Sequence, residues 1–154
     1  MTQIDNGKQV RKINTIFSGI IIILLVILGA YYVFDIAIVN SDLIMPVWTV
    51  LGLLLIAYRF GGFEYISIEF TDDNIDIKYY RLFPFDRTFN RIVIPNDMFG
   101  DFKVQKGIGG MFSYLILYQN RGGAMAQYPP IGLSATTHAF RTSMLKSLND
   151  LKGI

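Results

Sequence analysis

Two long apolar stretches open the chain, and an alternating pattern follows them. From Ile16 to Phe34 there are 19 residues without a charge, and from Leu43 to Tyr58 a further 16. Asp35, Asn40, Ser41 and Asp42 lie between them. At about 1.5 Å per residue the first stretch covers roughly 28 Å, the thickness of a bilayer's hydrocarbon core. Backbone amides find no water there, so such a stretch must be helical even where β-branched residues (Ile20–Ile23) favour strands. The second stretch is shorter and is extended by interfacial side chains: Trp48, Tyr58, Phe60 and a snorkelling Arg59. Pro46 falls in what reads as its first turn, where a missing N–H costs nothing. The pattern predicts a transmembrane helical hairpin, with helices at about 16–34 and 43–60.

After residue 62 the period changes to two. Glu64, Ile66, Ile68 and Phe70 share one face of a predicted strand, and the Thr71–Asn74 turn leads to a second strand with Ile75, Ile77 and Tyr79 inward. Leu82–Asp86 contains Pro84 and must leave the sheet. Thr88–Ile94, Phe102–Lys106, Phe112–Gln119 and Ala124–Tyr128 read as further strands, with Gly122-Gly123 supplying a hairpin turn and Ile131–Leu133 an edge. Ser134 is the expected N-cap of a closing helix over 135–152. Its Phe140, Met144, Leu145, Leu148 and Leu151 fall on one side and Gly153 ends it.

The basic residues orient the hairpin. Lys8, Arg11 and Lys12 precede it, Arg59 ends it, and the hinge has neither Lys nor Arg. The positive-inside rule therefore places both termini in the cytoplasm. A cleaved signal peptide is the competing reading, but the apolar stretch is too long for one and Gly29-Ala30-Tyr31 is a poor cleavage site. The divisions are a tail at 1–12, a hairpin at 13–60, and a cytoplasmic domain at 63–154.

Composition adds mainly exclusions. Residues 63–154 carry ten Lys or Arg against nine Asp or Glu, which gives no footprint for nucleic acid. There is no cysteine and one histidine, His138, so no metal set and no disulfide is expected. Gly107-Ile108-Gly109-Gly110 lacks the lysine and the helix of a phosphate loop. No base, nucleophile and orienting group cluster, so neither an enzyme nor a cofactor nor a small-molecule substrate is expected. Lys78, Arg81, Arg87 and Arg91, with Arg59, are placed to meet anionic headgroups. Asp76 and Asp86 dilute them, and a solvated mixed surface weighs more heavily.

The FEYISIEF strand after the second helix, the IVIPNDMF stretch (Ile92–Phe99) and PPIGLSA before the last helix resemble the small membrane-anchored bacterial PH-like domain proteins. That resemblance implies a split barrel of six to seven antiparallel strands capped by one C-terminal helix, hence an α+β, mostly-β domain behind a membrane hairpin. It also implies a protein-binding or oligomerising module. The loop that binds phosphoinositides in some PH domains is here Thr71–Asn74, which is acidic. Three readings stay open: a scaffold for a protein partner or a second copy, an accessory or immunity-type subunit recognising through its hairpin, and a lipid-surface sensor.

Overall fold

The structure, a computed structural model, describes residues 2–34, 41–83, 86–107, 110 and 112–152. The chain begins with a strand, β1 (Thr2–Asp5), and Asn6 joins it directly to helix α1 (Gly7–Phe34). A second helix, α2 (Ser41–Phe60), leads through Gly61 and Gly62 into β2 (Glu64–Phe70), β3 (Asn74–Arg81) and β4 (Phe89–Pro95). A short 3-10 turn, Asn96–Met98, passes the chain to β5 (Phe99–Lys106), β6 (Ser113–Arg121), β7 (Ala124–Gln127) and β8 (Ile131–Gly132), and α3 (His138–Lys152) closes it. The hinge residues Asp35 and Asn40, and Pro84, Ile108, Gly109 and Gly153, lie outside the described residues.

All strand pairs are antiparallel. One sheet has the order β1-β2-β3-β4; the other has β5-β6-β7, with β8 also paired to β6. No described pairing joins the two sheets, so they form no closed barrel. Ile66, Ile68, Ile75, Ile77 and Ile94 from the first sheet are fully buried with Leu115, Leu117 and Ile131 from the second. Met144, Leu148 and Phe140 of α3 complete this core, as their helical spacing predicts. Helix and sheets thus follow the expected pattern, with one strand more than expected.

That extra strand is β1. Residues 1–12 read as a tail because Thr2–Asp5 is short and mostly polar, yet it pairs with β2 from Thr2↔Phe70 to Asp5↔Ser67. Only Ile4 faces the core. Helix α1 begins nine residues before the uncharged stretch, so its first turns belong to the β domain: Val10 is buried there with Tyr58, Leu82 and Ala135. Pro46 lies inside α2 rather than in its first turn, because the helix starts at Ser41.

Helix α3 also starts later than expected. Ser134 donates its N–H to Gly62, and Thr136 and Arg141 hold the Leu133 carbonyl, which keeps 133–136 out of the helix. Thr137 is the cap: its Oγ1 accepts the Phe140 N–H at 3.2 Å.

Among the described residues one helix, α1, is long and apolar enough to cross a membrane; the apolar part of α2, Ile44–Phe60, is shorter. Only 6% of the apolar window in α1 is buried. A core helix of a water-soluble domain would be mostly covered, whereas here Ile16, Ile20, Ile22, Ile23, Leu25 and Val26 are all exposed.

Candidate functional site

Both helices are fastened to the β domain at one end. The Asn6 side chain donates to the carbonyls of Glu64 (2.9 Å) and Ala135 (3.0 Å) and accepts the Ile66 N–H at 2.8 Å. Its own N–H donates to Ile66. One buried amide thereby ties the start of α1 to β2 and to the segment before α3. Fifty residues later Tyr58 does the same for α2. Its hydroxyl lies 2.9 Å from the Asn14 side-chain oxygen and 3.1 Å from the Leu82 carbonyl. A single hydroxyl proton serves one of them; turning the Asn14 amide over lets its NH2 donate to Tyr58 while Tyr58 donates to Leu82. The Tyr58 ring stacks on Phe17 of α1 at 4.3 Å and meets Phe83 edge-on.

Beside this junction the inner faces of the sheets end in an acid. Glu64 continues the row Ile66, Ile68, and its partner across the ladder is Arg81. The carboxylate is buried, accepts the Gly132 N–H at 2.9 Å, and stands 3.7 Å from Arg81. Burial pushes its pKa up, against the pull of Gly132 and Arg81. Arg81 also pairs with Asp86 at 2.9 Å, and Asp86 with Arg59 at 2.9 Å. The Arg81 hydrogen bond, helped by Arg59, holds the Asp86 carboxyl below its ordinary range. Arg59 further lies over the Phe60 ring at 5.3 Å. Two adjoining cavities of about 320 and 280 Å³ share Glu64, Arg81 and Pro130 and open between the sheets. With two guanidiniums matched by two carboxylates, this cleft has no net preference for an anion.

The outer face of the first sheet is organised in rows. Register aligns Tyr65, Tyr80 and Phe89; the next outward row is Ser67, Lys78 and Arg91; the next is Glu69, Asp76 and Val93. Tyr65 and Tyr80 stack at 5.0 Å, and Tyr80 meets Phe89 at 4.8 Å. Lys78 and Arg91 stand opposite each other, a repulsive pair that Asp76 relieves. Arg91 binds it with two hydrogen bonds (2.9 and 2.8 Å) and Lys78 stands 3.4 Å away. The Arg91 hydrogen bonds hold the Asp76 carboxyl below its ordinary range.

The five basic residues singled out in the sequence therefore divide. Arg59 and Arg81 share Asp86 inside the junction, Lys78 and Arg91 share Asp76 on the outer face, and exposed Arg87 makes no ion pair among the described residues. Strand alternation puts Lys78 and Arg81 on different faces, as expected; the sharing of Asp86 by Arg59 and Arg81 had no signal in the sequence pattern. Asn6, Tyr58 and Glu64 were missed as structural centres. Glu64 was legible in principle, since it shares its face with the core isoleucines; Asn6 carries no signal apart from its place before a helix. Among the described residues no three His, Asp or Glu side chains gather as metal ligands. His138 opens α3 on the surface.

Comparison with protein-family models, with curated proteins and with solved structures found no match to this chain.

Proposed function

We propose that this chain is a membrane-tethered interaction module: a helical hairpin in a bacterial cytoplasmic membrane holds a PH-like β domain against the cytoplasmic face, where it positions a protein partner or a further copy of itself. The observation that carries this reading is the double attachment of the hairpin. Helix α1 leaves the β domain at Asn6, and α2 comes back to it at Tyr58, whose hydroxyl meets both Asn14 of α1 and Leu82 of the domain. If α1 crosses a bilayer, α2 must cross back. The apolar part of α2, 17 residues, spans roughly 25 Å. Helices rooted in the domain by buried hydrogen bonds suit a scaffold, because they fix how the domain is presented.

Removal of the first helix as a signal peptide is disfavoured by the same contacts. Cleavage would strip β1 from the edge of β2 and leave the Ile66 N–H without its Asn6 acceptor. Recognition through the hairpin alone would make the domain dispensable. The test is co-purification from gently solubilised membranes of two differently tagged copies, together with a version whose residues 16–56 are replaced by a foreign hairpin. Self-association, or a single stoichiometric partner, kept by both versions supports a module acting through its β domain. Association lost on exchange would move recognition into the membrane and overturn the reading.

A further inference from the structure

The two ends of the β domain differ in charge. At the end where the helices leave stand Arg11, Lys12, Arg59, Arg81 and Arg87, against Glu64 and Asp86. At the opposite end the turns around Asn74 and Asn96 carry Asp72, Asp73 and Asp97, and the one cation lining their cavity among the described residues, Lys152, is paired with Asp101. The overall charge of +2 hides this polarity. The aromatic row Tyr65–Tyr80–Phe89 lies on the outer face at the basic end. Tyr65 and Tyr80 adjoin the cluster of Val10, Phe17, Tyr58 and Phe63 in which both helices are rooted. Phe89, at the open edge of the sheet, is 76% exposed, and Phe60 at the end of α2 is 67% exposed. An apolar concavity of about 350 Å³ lies over this row, with Lys78 and Arg91 at its rim.

We infer that this edge of the first sheet is seated on the membrane surface: Phe89 enters the headgroup layer of an anionic leaflet, and Arg87 pairs with lipid phosphate. The inference rests on the tethered reading above and adds which face meets the lipid. Three features favour a bilayer as the occupant. The row runs from the aromatic cluster at the helix ends to exposed Phe89, with exposed Phe60 at the end of α2, the level at which aromatic rings settle at membrane interfaces. The surrounding charge is positive at this end alone, complementary to anionic lipid. Of the five cations singled out, Arg87 is the one that no described carboxylate neutralises, and it lies two residues from Phe89.

Trp48 is the sole tryptophan, so the test can use clean fluorescence reporters. Full-length Trp48→Phe/Phe89→Trp is placed in nanodiscs of phosphatidylcholine with and without phosphatidylglycerol. Its emission is quenched with headgroup-spin-labelled lipid and, separately, with acrylamide from water. Trp48→Phe/Val93→Trp reports the same face farther from the helices, and the parent Trp48 with acyl-brominated lipid reports the anchor. Expected is strong headgroup quenching at position 89 in anionic discs, weak quenching at 93, and a fall of about fivefold in the seated fraction on adding Arg87→Glu. Position 89 as open to acrylamide as position 93 would overturn the inference and leave the anchor intact. Position 89 shielded from both quenchers would overturn it in favour of a covering protein. Parent Trp48 untouched by brominated chains would overturn the tethered reading and this inference with it.

Discussion

Glu64 and Asp76 sit on neighbouring strands but on opposite faces, and their surroundings drive them apart. Burial raises the pKa of Glu64, so the folded state binds its proton more tightly than the unfolded chain does. Stability from this group is full below the ordinary glutamate value and is lost as pH rises through the raised one. Glu64→Gln, which keeps an acceptor for the Gly132 N–H, is expected to be more stable than the parent at pH 7, with the gain disappearing below about pH 4.3. Asp76 is the reverse: two Arg91 hydrogen bonds lower its pKa, so its contribution is present above the ordinary aspartate value and is lost as pH falls through the lowered one. Asp76→Asn is expected to be less stable at pH 7, with the deficit starting to narrow below about pH 3.9 and closing as pH falls through the lowered value. Chemical denaturation across pH in mild detergent checks both signs. Asn6→Ala leaves the Ile66 N–H and two carbonyls without partners; at about 1–3 kcal/mol per stranded buried group it should cost about 3 kcal/mol or more.

Among the elements, Gly62 before β2 and Gly132 of β8 approach each other closely. A side chain at Gly132 would run into the Gly62 carbonyl, and Gly62 itself has φ near +65°, where glycine is favoured. Gly132→Ala should push β8 off β6 and destabilise the domain by about 1–3 kcal/mol, read as a lowered melting temperature. Period-two alternation made β2, β3 and β4 legible and 3.6-residue spacing gave the face of α3, because these elements bury one side against a single core, whereas β6 showed as a continuous apolar and aromatic run. The pattern was silent on β1, whose Thr-Gln-Ile-Asp offers one inward side chain. It misplaced the α3 cap, since Ser134 has the right chemistry but its backbone is held to Gly62. For the site, alternation showed that Lys78 shares a face with Asp76 while Arg81 does not; the sharing of Asp86 by Arg59 and Arg81 was not readable, because Asp86 lies in a loop and Arg59 on α2. Nor was the junction made by Asn6 and Tyr58, because those contacts join residues about 60 and 130 positions apart, as in Asn6 to Glu64 and Ala135.

Both helices are rooted in the same domain, at Asn6 and at Tyr58, so a pair that crosses a membrane as proposed leaves the residues on either side of it on one face. The chain contains no cysteine, which leaves a clean background for single introduced thiols. The decisive measurement labels Gln3→Cys, Met45→Cys and Asp73→Cys in intact cells and in inverted vesicles with an impermeant maleimide. Positions 3 and 73 should react only when the cytoplasmic face is accessible, and position 45, at the far end of the hairpin, only from the opposite face. Reaction of positions 3 and 73 from opposite sides, or of all three from the same side, would contradict a hairpin that crosses and returns.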